Sequence, residues 1–173
     1  TQPKMKHRMN PKMTFGTLIE YDSKGKIVWS WKSAPYFRTS DVLNYIDKNG
    51  RPINDVHQNS FFFDEKEKVI YVSYKNISRI IKVKYPEGNV LESYGETFVP
   101  DVVHKDDGLF CYQHSCRLSQ KGYLYLFNNN VCNPDSGPQL LMMQLPDKHN
   151  PSLKTVWQYN IENERKFEMQ KWP

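Results

Sequence analysis

Two histidines stand at matching places in two similar stretches of the chain. His57 lies in Asp55-Val56-His57-Gln58-Asn59-Ser60, followed at once by Phe61-Phe62-Phe63-Asp64. His114 lies in Gln113-His114-Ser115-Cys116-Arg117-Leu118. A neutral imidazole is a nucleophile at pH 7 and also moves protons in that range. Two imidazoles that meet in one pocket would form a site for such chemistry. The bland alternative is that both fill a polar channel and bind ordered water.

The elements that must position them are β-strands. Each histidine opens a β-run, which is followed by a polar turn and a second run. In the first copy the turn is Glu65-Lys66-Glu67-Lys68 and the second run is Val69-Ile70-Tyr71-Val72-Ser73-Tyr74. In the second copy they are Ser119-Gln120-Lys121-Gly122 and Tyr123-Leu124-Tyr125-Leu126-Phe127. Residues of this β-branched and aromatic kind suit strands. Another hairpin follows each of these. Ser78 to Val83 and Asn89 to Tyr94 form the first, and Gln139 to Leu145 and Lys154 to Tyr159 the second. A further hairpin, Thr17 to Asp22 and Ile27 to Trp31, precedes His57, with Gly25 in its turn. Gly25 matches Gly88 and Trp31 matches Tyr94, both at an offset of 63 residues. A short helix is expected around Asp41 to Ile46, with Asp41 as its N-cap. No long amphipathic helical pattern occurs.

The repeat of about 60 residues, four antiparallel strands per unit, is the signature of a β-propeller. The expected fold class is all-β. Residues 1–16 read as a flexible basic segment, 17–161 as propeller blades, and 162–173 as a charged tail or linker. The chain would hold the last hairpin of one blade and two complete blades. Closure of a ring takes about four blades, so a piece of a larger protein, or a ring completed by other chains, is the expectation. A β-sandwich of the same hairpins is the structural alternative. In a propeller the first strand of each blade lines the axis, which would bring His57 and His114 together.

Composition narrows the function classes. The 173 residues carry a net charge of +5, but the lysines are scattered. The densest basic run, Lys4 to Lys12, reads as a solvated tail rather than a nucleic-acid arm. A positive balance helps attract an anionic substrate. No run of about 18 apolar residues is present, so no membrane span is expected. No signal peptide is visible at Thr1, and a removed leader stays open. Cys111, Cys116 and Cys132 form no CxxC pair, so no zinc site is expected. One disulfide at most can form. A Cys111–Cys116 bridge would brace the segment around His114, and buried free thiols are the alternative. Asp106-Asp107-Gly108 and Asp135-Ser136-Gly137 read as turns rather than calcium loops. Asn76-Ile77-Ser78 fits a glycosylation acceptor pattern, beside the proposed pocket. Trp29, Trp31, Tyr94, Trp157 and Tyr159 close successive units and are expected to pack between blades.

Several of these motifs together resemble the bacterial arylsulfotransferase (aryl-sulfate sulfotransferase) family. They are the Asp-x-His-x-Asn opening at residues 55–59, the run from Val72 through Ser78-Arg79 to Val83, Tyr94-Gly95, Phe110 through Gln113-His114, and Leu126-Phe127-Asn128-Asn129. The resemblance covers most of the chain from Thr17 to Gln144. It implies an exported propeller of about six blades, periplasmic, cell-surface or extracellular. Such a protein moves a sulfuryl group from an aryl sulfate to a phenolic acceptor and needs no cofactor or metal. The family's nucleophilic histidine maps onto His114. His57 and Asn59 map onto its partners, the first handling the proton and the second an oxygen.

This chain also departs from the family pattern. Lys75 stands where an arginine is expected to clamp the sulfuryl group, which keeps the charge but loses the planar fork. Arg79 is a substitute clamp by position, although at the start of a strand it is expected to face outward. Asn128 stands where an aspartate is expected. No third histidine is identifiable, as His104 lies in a loop and His149 in a long connection. A catalytically inactive propeller, acting as a scaffold or binding component, is therefore the second functional reading. A homodimer or larger assembly is left open.

Overall fold

A computed structural model describes residues 13–37, 54–95, 109–133 and 135–161. Strands come in chain order as β1 (Thr17–Tyr21), β2 (Ile27–Lys32), β3 (Gln58–Asp64), β4 (Val69–Tyr74), β5 (Arg79–Lys84), β6 (Val90–Gly95), β7 (His114–Leu118), β8 (Tyr123–Asn128), β9 (Gln139–Gln144) and β10 (Lys154–Asn160). The described residues contain no α-helix, only a short 3-10 turn at Ala34–Tyr36. The helix expected around Asp41 lies outside the described residues.

The strands form three antiparallel sheets in sequence order: β1-β2, then β3-β4-β5-β6, then β7-β8-β9-β10. The fold is all-β and built of four-stranded blades, as expected of part of a propeller. The turns follow from residue chemistry. Asp22 accepts the amide hydrogens of Lys24 and Lys26 at 2.8 and 2.9 Å, and Gly25 takes φ 77°. Asp64 caps the β3–β4 turn in the same way, accepting from Lys66 and Glu67. Ser119 and Gly122 do so between β7 and β8.

Strand β4 carries the stack. All six of its residues are buried, because apolar side chains point to both of its faces. Ile70, Val72 and Tyr74 face the β1-β2 sheet, where they cluster with Leu18 and Trp31 and with Val56 from the segment before β3. Val69 and Tyr71 face the third sheet, where Leu124, Leu126, Leu141 and Met143 meet them. Each such side chain stabilises the stack by about 1.5–3 kcal/mol when fully buried. The two β2 tryptophans add specific bonds to the next blade. Trp29 and Trp31 donate their indole N–H to the carbonyls of Pro86 and Gly88, both at 2.8 Å.

Trp31 and Tyr94 are buried as expected. Trp157 and Tyr159 are not: they are 50% and 57% exposed. They occupy β10, on the face of the third sheet where Tyr125 and Leu140 are also exposed. The matching face of the middle sheet, with Tyr71, Ile80 and Tyr94, is covered by the third sheet. Among the described residues no sheet packs against that face.

Gly95 lets the middle and last blades come close. It takes φ 88°, and a Cβ there would lie 2.3 Å from the carbonyl oxygen of Ser78 and 2.6 Å from the Phe110 ring. Phe110 is buried in the cluster between these blades, four residues before His114. Gly25 shares the left-handed backbone but faces open space. Gly25→Ala is expected to lower stability by about 1 kcal/mol, the backbone cost alone. Gly95→Ala adds an overlap and is expected to cost about 2–5 kcal/mol. Urea unfolding of both variants checks this, and equal losses would contradict the close approach.

Candidate active site

His57 sits just before β3 in a conformation that few side chains adopt, with φ 55°. Asp55 makes this local turn by accepting the His57 amide hydrogen at 2.7 Å. The β4–β5 turn then folds onto the same segment. Lys75 donates its amide hydrogen to the His57 carbonyl at 3.0 Å, and Asn76 donates to the Val56 carbonyl at 3.3 Å. The Asn76 side chain adds a bond to the Asp55 carbonyl at 2.9 Å. Lys75, eighteen residues after His57 in sequence, is thus delivered to its side. Asn76 is therefore a structural residue. Its two followers, Ile77 and Ser78, are buried.

His114 arrives from the neighbouring blade. Strands β3 and β7 are the sheet edges on the axis side and lie against each other. Each carries an irregularity beside its histidine: the β3–β4 register shifts between Gln58 and Ser60, and the β7–β8 register between His114 and Arg117. Ser115 takes φ 58° within the second. Such bulges re-aim side chains at the end of a strand. The result is that the His57 and His114 rings stand with centroids 6.5 Å apart and planes at 68°.

The electrostatics favour a neutral His114. Its pKa is lowered by burial first, then by the positive charge of Lys75 and by His57. A neutral ring keeps a lone pair for attack. On the other ring, Asp55 holds a carboxylate oxygen 3.8 Å from Nδ1 of His57. Both side chains are 42% exposed, so solvent weakens this pair.

The remaining sequence-derived residues separate. Asn59 comes to the site, but its Nδ2 donates to the Gln113 carbonyl at 2.7 Å. It bridges the two blades with that hydrogen and has one more to offer. Arg79 does not face outward, which corrects the sequence-based expectation. It is only 6% exposed, and its guanidinium lies over the Phe37 ring at 5.8 Å. The first residue of β5 is buried because the edge of the β1-β2 unit packs over it. Asn128 is explained by its bonds. Its Oδ1 accepts from the amides of Cys111 and Asn130, and its Nδ2 donates to Gln139 Oε1. A carboxylate would keep the two acceptor bonds and lose the donor.

The cysteine pairing also differs from the expected brace. Cys111 bonds Cys132, closing the lead-in to His114 onto the loop after β8. Cys116 stays free and buried, with its pKa pushed up to about 11 by burial. His149 lies in an exposed turn organised by Asp147, and His104 lies outside the described residues, as do Asp106 and Asp107. Among the described residues no cluster of metal-ligating side chains occurs.

The residue that sequence reading missed is Gln113. In sequence it is only the neighbour of His114, yet its side chain is wholly buried. A polar side chain directly before a strand histidine is a weak sequence signal, since nothing local shows where it points.

Replacing Lys75 by Met is expected to raise the His114 pKa, because a positive charge that opposes imidazolium is removed. NMR titration of the histidine ring protons in both proteins checks the direction. An unchanged or lower value would contradict the placement of Lys75 beside His114.

Comparison with known proteins adds one match. The model of the family described as Arylsulfotransferase (ASST) matches residues 4–172. A search of curated proteins returns no match.

Proposed function

Because the chain belongs to the arylsulfotransferase family, we propose that His114, His57 and Lys75 form a sulfuryl-transfer site working through a sulfohistidine. The observation that carries this reading is the meeting of His57 and His114, 6.5 Å apart, on the axis-side ends of neighbouring blades.

The first half-reaction begins with attack of a neutral His114 nitrogen on the sulfur of an aryl sulfate. The S–N bond forms as the S–O bond to the ring breaks, and the phenolate leaves with that electron pair. His57 donates a proton to the departing oxygen. In the second half-reaction His57 takes the proton of an acceptor phenol. The phenol oxygen then attacks sulfur and the S–N bond breaks, returning His114 as a neutral imidazole. Lys75 holds the sulfuryl oxygens as a point charge, and Asn59 offers them its second amide hydrogen. Arg79, the other clamp by position, is buried with its guanidinium over the Phe37 ring.

The Cys111–Cys132 disulfide fits an oxidising compartment, in line with export to a periplasmic, cell-surface or extracellular location. No helix among the described residues is long and apolar enough to cross a membrane.

Two measurements test this reading. Transfer of sulfate from p-nitrophenyl sulfate to phenol is expected in the wild type and lost in His114→Ala. His57→Ala is expected to slow it by about 10²–10⁴-fold, the usual contribution of an acid–base group. Activity that survives His114→Ala would sink the nucleophile assignment. Absence of transfer in the wild type on several aryl sulfates would favour the scaffold reading, for which Lys75 in place of arginine is the supporting observation. The pH profile supplies the second measurement. Attack needs neutral His114, so the acid limb of kcat/KM should lie below the ordinary histidine value of 6.5, and an acid limb above that value would contradict the scheme.

A further inference from the structure

We infer that Gln113 is a positioning residue, setting the distance of His114 from His57 and Lys75 through a buried clamp between the two blades. The inference rests on the proposed sulfuryl-transfer reading for its activity readout, but its geometry stands by itself.

The Gln113 side chain crosses from its own blade into the neighbouring one. Its Nε2 donates toward Ser73 Oγ at 3.0 Å, the Tyr74 carbonyl at 3.2 Å and the Arg79 carbonyl at 3.0 Å. All three acceptors lie in or at the ends of β4 and β5, the strands joined by the Lys75 turn. The backbone of Gln113 is held from the same blade, since its carbonyl accepts from Asn59 Nδ2. Four contacts thus run from one blade to the residue directly before His114. Ser73, Tyr74, Arg79 and Gln113 are all buried, so water does not compete for these bonds.

The clamp acts on spacing because it joins the parts that carry the site. Lys75 follows Tyr74 directly, and Lys75 in turn binds the His57 carbonyl. A shift of Gln113 relative to the β4 end would therefore move His114 away from both partners together. The three acceptors share two amide hydrogens, so all three are satisfied only in one narrow placement of the side chain. An apolar side chain of similar length fills the space but makes none of these three bonds.

The test uses Gln113→Met and, as a second variant, Gln113→Glu, which keeps the shape with at most one O–H donor. Both are measured for p-nitrophenolate release and for the ring-to-ring NOE between His57 and His114, alongside thermal melting. The expected result is a cooperative melt, a lost or weakened NOE, a kcat lower by about 100-fold and a KM within about threefold, as for a misplacement near 1 Å. A variant that keeps the NOE and kcat overturns the inference, and so does a fall in kcat with the NOE intact. Failure of both variants to fold also overturns it, since Gln113 would then hold the sheets together rather than set a spacing. A wild type that shows the NOE but no transfer overturns the proposed function instead, and the clamp is then judged on the NOE alone.

Discussion

The carbonyls of Tyr74 and Arg79 end two buried strands at the point where one blade meets the next. Neither faces water, and an unpaired buried acceptor costs about 1–3 kcal/mol. Both accept a hydrogen bond from the other blade, from the Gln113 side-chain amide. Edge strands β3 and β7 meet there, and no ladder of backbone hydrogen bonds joins them. Side chains do that work instead: Gln113 and Asn59 at the site end, and Ser60 a little further along, whose Oγ accepts the Cys116 amide hydrogen at 3.3 Å. The apolar contacts below set how far apart the sheets lie. The polar contacts set their register, because hydrogen bonds are directional and hydrophobic contacts are not.

The same junction sets the electrostatics. Two imidazoles are brought together with one partly exposed carboxylate nearby, and the charge of Lys75 acts on His114. Mutual repulsion and burial both oppose protonation of His114. The strained backbone at His57 and Ser115 is tolerated because neighbouring bonds over-determine both segments.

Much of the fold was legible because propeller units repeat a local pattern. Strand β4 was readable to the residue from its apolar and aromatic run, and Gly25 and Gly88 marked equivalent turns. Both take φ near 80°. The reading failed where position depends on a neighbour. Arg79 looked like an outward-facing charge at the start of a strand, yet Phe37, far away in sequence, covers it. Cys111 lies nearer in sequence to Cys116 than to Cys132, but alternation along β7 turns Cys116 into the inter-blade cluster. The loop after β8 carries Cys132 to Cys111 instead. Trp157 and Tyr159 carry the right pattern for packing, yet among the described residues no sheet covers them.

The sequence by itself determined the class of strands, their grouping in fours, and the two equivalent histidines, because these follow from side-chain period and turn chemistry within some sixty residues. It also carried the family motifs. Only the tertiary structure decided how far apart the histidines stand and which side chains bond across the two blades beside them. Those quantities arise where two separately folded sheets meet, and no local pattern specifies a contact between groups more than fifty residues apart.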